Sequence, residues 1–353
     1  MKFTLFAGWV LAALLSTSIG VAEGAEKGAI RVIVQAPEDE RFCHLSWPKV
    51  LKADNGNLVV AYIAGRKHVN GDGCPAVSVS SDGGKTFTPP QVLKTFDSTM
   101  PYQHAANLAM GKADDGALLL MAMAFTDDLR NNIYGWRSED HGKTWQPVDT
   151  SSIGENKTGS VFGHLFPVPG KGLAVCGHYR QPRGEGLWIA YSEDDGRTWG
   201  PAETITTKKY FEPTFIFTGG RLIGLVRENA AHAFHQYVSD DGGKTWQFQP
   251  SVIQGNEKAN HPSPFVVSDP TQPERLLALQ AERIGDNRIY LWQADRGALE
   301  WKQKRVLASA PGVEDFGYPW MTHLKGNEWF MVYYAGEKEG PNDIYGGIIT
   351  ITP

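Results

Sequence analysis

The chain has 353 residues and a formal net charge of −5, from 34 lysines and arginines against 39 aspartates and glutamates. That balance lacks the basic footprint a nucleic-acid partner requires. The 39 glycines and 11 tryptophans fit many short strands joined by tight turns, and no stretch is of low complexity.

The N-terminus reads MKFTLFAGWVLAALLSTSIGVAEGAEKG. Lys2 gives a positive start, residues 3–15 are largely apolar, and small residues follow. This predicts a secretory signal peptide over residues 1–25, cleaved between Ala22 and Ala25. The apolar run is shorter than the roughly 20 residues a membrane span needs, and no later segment qualifies. The mature chain, residues 26–353, is therefore expected to be secreted or periplasmic, with no membrane span. In such an oxidising compartment Cys43 and Cys74 are the better-placed pair for a disulfide, whereas Cys176, in the apolar run LAVCGHY, reads as a buried thiol.

Next along the chain comes AIRVIVQA (29–36), an apolar run without a hairpin partner of its own. Beyond it a unit repeats. SSDGGKTF (80–87), SEDHGKTW (138–145), SEDDGRTW (192–199) and SDDGGKTW (239–246) start 58, 54 and 47 residues apart, and a worn copy, QADRGALEW, starts at Gln293, 54 residues further on. Upstream of the octapeptides lie apolar runs broken by an NG, DG or GG turn, as in KVLKADNGNLVVAYIAG, NLAMGKADDGALLLMAM and TFIFTGGRLIGLV, which are hairpin signals. Another alternating run precedes each octapeptide and a short strand follows it. Each unit is thus four antiparallel strands, with the octapeptide as the turn between the third and fourth.

Repeated four-stranded units of this length predict an all-β propeller. The 328 residues from 26 to 353, at about 54 per unit, give six blades. Their inner strands are expected to begin near Trp47, His104, Gly163, Glu212, Ser263 and Tyr318. AIRVIVQA is predicted to close the ring as the outer strand of the last blade, beside IYGGIITI (344–351).

The octapeptide S-x-D-x-G-x-T-W resembles the Asp-box of the sialidase/neuraminidase superfamily, and the whole mature chain resembles its six-bladed propellers. The box resemblance implies architecture. Asp82, Asp140, Asp194 and Asp241 are expected to accept backbone hydrogen bonds at peripheral turns, with the terminal aromatic packed between strands. The chemistry is expected at unrepeated positions over the central axis. There Glu212 and Arg227, fifteen residues apart, resemble the family's glutamate and carboxylate-binding arginine. Tyr318 matches the nucleophile, Arg66 resembles the family's second first-blade arginine and would bind substrate, and Asp72, six residues later, matches the general acid. Arg288 and Arg283 are rivals for the last arginine. The Arg-Ile-Pro motif of the first blade is replaced by Ser46-Trp47-Pro48, so its arginine is missing. Trp47 is expected to stack on a sugar, and a protonated His44 to stand in for part of that arginine.

The implied activity is exo-acting glycoside hydrolysis of a terminal sialic acid or similar acidic sugar. It would use a Tyr/Glu nucleophile pair and an aspartic acid/base. The histidine-rich rim (His44, His104, His164, His178, His261) also fits a glycosidase or polysaccharide lyase acting on a non-sialic glycan. A non-catalytic glycan-binding propeller is the reading from another class. No ligand spacing such as HExxH is present, so no metal or cofactor is predicted, and the partner is a glycan.

Overall fold

A computed structural model describes residues 30–352, so the expected signal peptide lies outside the described residues. Every element among them is β, and no helix is long and apolar enough to cross a membrane. After β1 (Arg31–Val34) the strands fall into successive antiparallel units. The first is β2 (His44–Lys52), β3 (Leu58–Gly65), β4 (Cys74–Ser80) and β5 (Gln91–Val92). The second is β6 (His104–Lys112), β7 (Leu118–Phe125), β8 (Asn131–Ser138) and β9 (Gln146–Val148). The third is β10 (Gly159–Val168), β11 (Gly172–Tyr179), β12 (Leu187–Ser192) and β13 (Glu203–Thr206). Then come β14 (Phe211–Thr218), β15 (Arg221–Glu228), β16 (Ala233–Ser239) and β17 (Gln247–Gln254). The fifth unit is β18 (Phe265–Asp269), β19 (Gln272–Glu282), β20 (Arg288–Asp295) and β21 (Lys302–Ser309). The last is β22 (Asp315–Lys325), β23 (Glu328–Gly336) and β24 (Asn342–Thr350), completed by β1, which pairs antiparallel with β24 through Arg31 and Gly346.

The second strands of the units are buried on both faces. LVVAYIAG in β3 and LLLMAMAF in β7 have no exposed position, which is why they read as continuous apolar runs instead of alternating ones. The fourth strands are the exposed ones, as QFQPSVIQ in β17 illustrates. First strands touch in cyclic order: β2 with β6, β6 with β10, β10 with β14, β14 with β18, β18 with β22, and β22 with β2.

The four octapeptides join third to fourth strands, as the repeat predicts. In the last, Asp241 Oδ1 accepts from Ser239 Oγ and from the amides of Lys244 and Thr245, while Oδ2 accepts from Thr245 Oγ1 at 2.7 Å. Asp82, Asp140 and Asp194 make the same set. The box glycines Gly84, Gly142, Gly196 and Gly243 have φ between 81° and 92°, a region glycine enters freely. They also have no room for a side chain. A Cβ on Gly84 would meet Phe330 of the last unit, one on Gly142 would meet Val59 of the first, and one on Gly196 would meet Leu119 of the second. Each box is therefore a joint to the preceding unit. The worn copy keeps only the turn at Asp295, whose Oδ1 accepts from the amides of Gly297 and Ala298.

The expected Cys43–Cys74 disulfide is not present. All three cysteines are free. The Cys43 thiol faces the carbonyls of Glu40 and Arg66, and that of Cys74 faces Asp72 and Phe96.

Candidate active site

Each unit has a positive-φ residue at a matching place within or just before its first strand: Trp47 (φ 53°), Asn107 (51°), Gly163 (97°), Glu212 (48°), Ser263 (50°) and Tyr318 (54°), with Gly159 (129°) and Gly317 (131°) adding a second in two units. In five of the six units this residue sits at a break in register between first and second strands. Five of the positions are those the repeat marks as strand starts, and in the second unit Asn107 takes the place expected of His104. Five of the six are not glycine, so each carries a conformational cost of order 1–3 kcal/mol that the surrounding packing must hold. The kink is where these side chains leave the ladder.

Two of these kinked residues meet across 106 positions of sequence. Tyr318 Oη donates to Glu212 Oε1 at 2.5 Å. Arg227, opposite Phe211 on β15, donates from Nη1 to Glu212 Oε2 at 2.7 Å and from Nη2 to Asn260 Oδ1 at 2.8 Å. The Ser263 amide donates to the same Oε2 at 3.2 Å. A buried carboxylate is costly unless paired and hydrogen-bonded, and Glu212 is both. Burial pushes its pKa up, but Arg227 and the Tyr318 hydroxyl outweigh this and hold it below the usual carboxylate value. Burial and the neighbouring Glu212 charge raise the Tyr318 phenol, against the pull of Arg227 and Arg283. The resting pair is thus a neutral phenol donating to an ionised carboxylate. His178 braces it from below. Its Nδ1 accepts from the Glu212 amide at 3.3 Å, and burial lowers its pKa to about 3, so the ring is neutral.

A second cluster adjoins Tyr318 and was not singled out by sequence reasoning. Asp315, which opens β22, is 4% exposed. Its Oδ1 accepts from Tyr334 Oη at 2.9 Å and lies 3.2 Å from Arg283 Nη2. Its Oδ2 lies 2.7 Å from His68 Nδ1 and 3.4 Å from His44 Nε2. Burial raises the Asp315 carboxyl, yet His44, His68 and Arg283 hold it far below the usual range. The signal available was the one used for Glu212: a charged residue opening a buried inner strand needs partners.

The rival arginines separate cleanly. The Arg283 guanidinium lies 5.8 Å from the Tyr318 ring centre, donates to the Phe316 carbonyl at 2.5 Å and bonds Tyr334 Oη. Arg288 is on the surface, paired with Asp286 at 2.8 Å. Two guanidinium groups, Arg227 and Arg283, therefore flank Tyr318.

The remaining predicted residues belong to the first unit. Asp72 (φ 54°) lies on the segment between β3 and β4, where Arg66 Nε approaches its Oδ2 at 3.2 Å. Its amide donates to His104 Nδ1 at 3.2 Å. Trp47 is 4% exposed, with its ring 4.7 Å from that of His68 and edge-on to Tyr318 at 6.1 Å. Its faces are occupied by protein, which leaves no platform for a sugar. His44 is fully buried, with Nδ1 on the Gly340 carbonyl at 3.0 Å and Nε2 toward Asp315, so it does not reach out to a sugar carboxylate as expected. Beside His178 opens a cavity of about 230 Å³, lined by Phe125, Arg180, Tyr210 and Phe211 among others.

An all-β fold of repeated antiparallel units, kinked toward a tyrosine–glutamate–arginine cluster, defines a class of repeat protein. Residues 56–331 match the BNR repeat-like domain, and the chain belongs to that family. Among solved structures it is similar to a protein of unknown function from Dyadobacter fermentans DSM 18053 (22% identity, TM-score 0.73, covering 92% of this chain and 99% of that one). It is also similar to the Hadza microbial sialidase Hz136 (17%, 0.70, 91% and 68%). A mutant Trypanosoma rangeli sialidase displaying trans-sialidase activity matches at 17% identity and TM-score 0.69, with 94% of this chain covering 60% of that one. These identities establish a shared fold. No curated protein matches.

Proposed function

We propose that the six units close into a six-bladed propeller and that the protein is an exo-acting glycoside hydrolase of sialidase type. The observation that carries this reading is the 2.5 Å bond from Tyr318 Oη to a Glu212 carboxylate held by Arg227. Tyr318 Oη attacks the anomeric carbon as its proton passes to Glu212, forming a glycosyl–tyrosine bond while the glycosidic C–O bond breaks. Asp72 gives its proton to the leaving oxygen and then takes one from the water that releases the sugar. A neutral phenol suits a substrate that carries its own carboxylate, because a charged nucleophile would be repelled. Arg227 and Arg283 supply the guanidinium groups for a terminal sialic acid or similar acidic sugar.

One observation favours a second reading, a non-sialic glycan as substrate for a glycosidase or lyase of the same fold. Arg283 is already paired with Asp315, which places a carboxylate where an acidic sugar needs positive charge. The test is release of a fluorophore from a panel of aryl glycosides that includes an α-sialoside and a uronide, from pH 4 to 8. Turnover abolished by both Tyr318→Phe and Asp72→Asn supports the assignment. Turnover untouched by both overturns it, and release from a neutral glycoside alone selects the second reading. Glycan binding without turnover of any member would mark a lectin-like propeller. Action outside the cytoplasm is part of the proposal, and N-terminal sequencing of exported protein tests it.

A further inference from the structure

We propose that His44, His68 and Asp315 form a binding site for a divalent first-row transition ion, with Zn²⁺ as its type. One donor atom from each residue lies within 4.8 Å of the other two, and His44 Nε2 and His68 Nδ1 are the atoms that face Asp315 Oδ2. They come from β2, from the segment after β3 and from β22, so no sequence spacing reveals them.

The Gly340 carbonyl 3.0 Å from His44 Nδ1 can only accept, so Nδ1 carries a hydrogen. In neutral imidazole that leaves Nε2 with a lone pair, reached by the Asn342 amide nitrogen at 3.4 Å but also facing the Asp315 carboxylate at 3.4 Å, a contact that is favourable only when a proton or another cation lies between the two. A lone pair opposed to a carboxylate inside protein is repulsive. A cation between them removes the repulsion, and two imidazoles with one carboxylate are a zinc-type donor set. The 3.4 Å separation is close to the edge of a tetrahedron built on bonds of about 2.0–2.1 Å, which is roughly 3.3 Å. The 2.7 Å between His68 Nδ1 and Asp315 Oδ2 must widen by about half an ångström on metal entry. His68 is the least buried of the three and lies outside the regular strands.

Asn342 supplies a second, independent observation. It is 1% exposed, and its amide nitrogen lies 3.4 Å from His44 Nε2. Its Oδ1 has no hydrogen-bond partner among the described residues. An orphaned buried oxygen calls for an explanation. Turning the amide over brings that oxygen to the cluster as a further donor. Outer bonds of the kind that orient metal ligands are already present: Gly340 on His44, and Tyr334 and Arg283 on the far oxygen of Asp315.

The proposal concerns ion binding and stands apart from the glycosidase reading. The test is calorimetric titration of chelator-stripped full-length protein with ZnCl₂, with Co²⁺ visible absorption as a second readout. We expect saturable binding of one ion per chain. His68→Ala, at the least buried ligand, should weaken it at least about 100-fold, because losing a ligand costs more than the 10–100-fold of an outer-shell partner. Asp315→Asn should act in the same direction, and His323→Ala, at an unrelated surface histidine, should leave binding unchanged. Far-UV circular dichroism separates a lost ligand from a lost fold. Absence of saturable uptake by the stripped wild type overturns the proposal, as it would mean that only a proton stands between His44 and Asp315. Binding that persists in folded His68→Ala overturns it too.

Discussion

Replacing Glu212 by glutamine tests whether the central cluster is held by a buried ion pair. The change preserves shape, and glutamine Oε1 can still accept from Tyr318. What disappears is the negative charge facing Arg227. The two side chains are 8% and 12% exposed, so solvent screens the pair little. Removing one partner of a buried pair costs about 3–5 kcal/mol, because the other charge is left uncompensated. Arg227 keeps its bond to Asn260, which places the expected loss at the lower end, about 3 kcal/mol. At roughly 2–4 °C per kcal/mol, the melting temperature should fall by roughly 6–12 °C. Urea denaturation of Glu212→Gln, Arg227→Gln and the double variant gives the coupling directly. The double variant should lose less than the sum of the singles by at least about 1 kcal/mol. With a turned-over glycoside in hand, Glu212→Gln should also lose about 10²–10⁴-fold in kcat. A single-variant cost below about 1 kcal/mol together with additive effects would refute the reasoning, since the charges would then be solvated.

Lys49 is fully buried, and its Nζ lies 4.0 Å from the ring centres of Phe162 and Trp320 with no hydrogen-bond partner among the described residues. Burial pulls its pKa well down, so Lys49→Met should raise stability by about 1–3 kcal/mol, the desolvation penalty of an unmade bond. A drop in melting temperature would instead mean a charged ammonium held by the rings. Arg288→Ala should leave kcat/KM within about twofold, whereas Arg283→Lys should lower it by one to two orders of magnitude, the loss of one charge-assisted bond at about 1.5–3 kcal/mol. Equal effects of the two would reverse the assignment. His178 titrates near 6.5 when unfolded and at about 3 in the fold. The unfolded chain therefore binds the extra proton first, and stability should be flat above about pH 6.5 and fall as pH drops from there toward 3. That slope should shrink in His178→Gln, and an unchanged slope would exclude His178 as its source.

Architecture was readable in the sequence because turns and strands are local. Four copies of one octapeptide state where third strands end. Asp241 and its equivalents make bonds that reach no further than four residues along the chain, so the motif carries its own structure. The run AIRVIVQA announced itself by lacking a hairpin, and β1 does pair with β24. Glu212, Arg227 and Tyr318 were legible through repeat register and resemblance, although a bond spanning 106 residues has no local signature. Tertiary structure alone decided the rest. It separated Arg283 from Arg288, because five residues along a hairpin carry a side chain from the centre to the surface. It left Cys43 and Cys74 as thiols, each turned to carbonyls. It also assembled Asp315 with His44 and His68, from three elements whose meeting depends on how the first and last units come together.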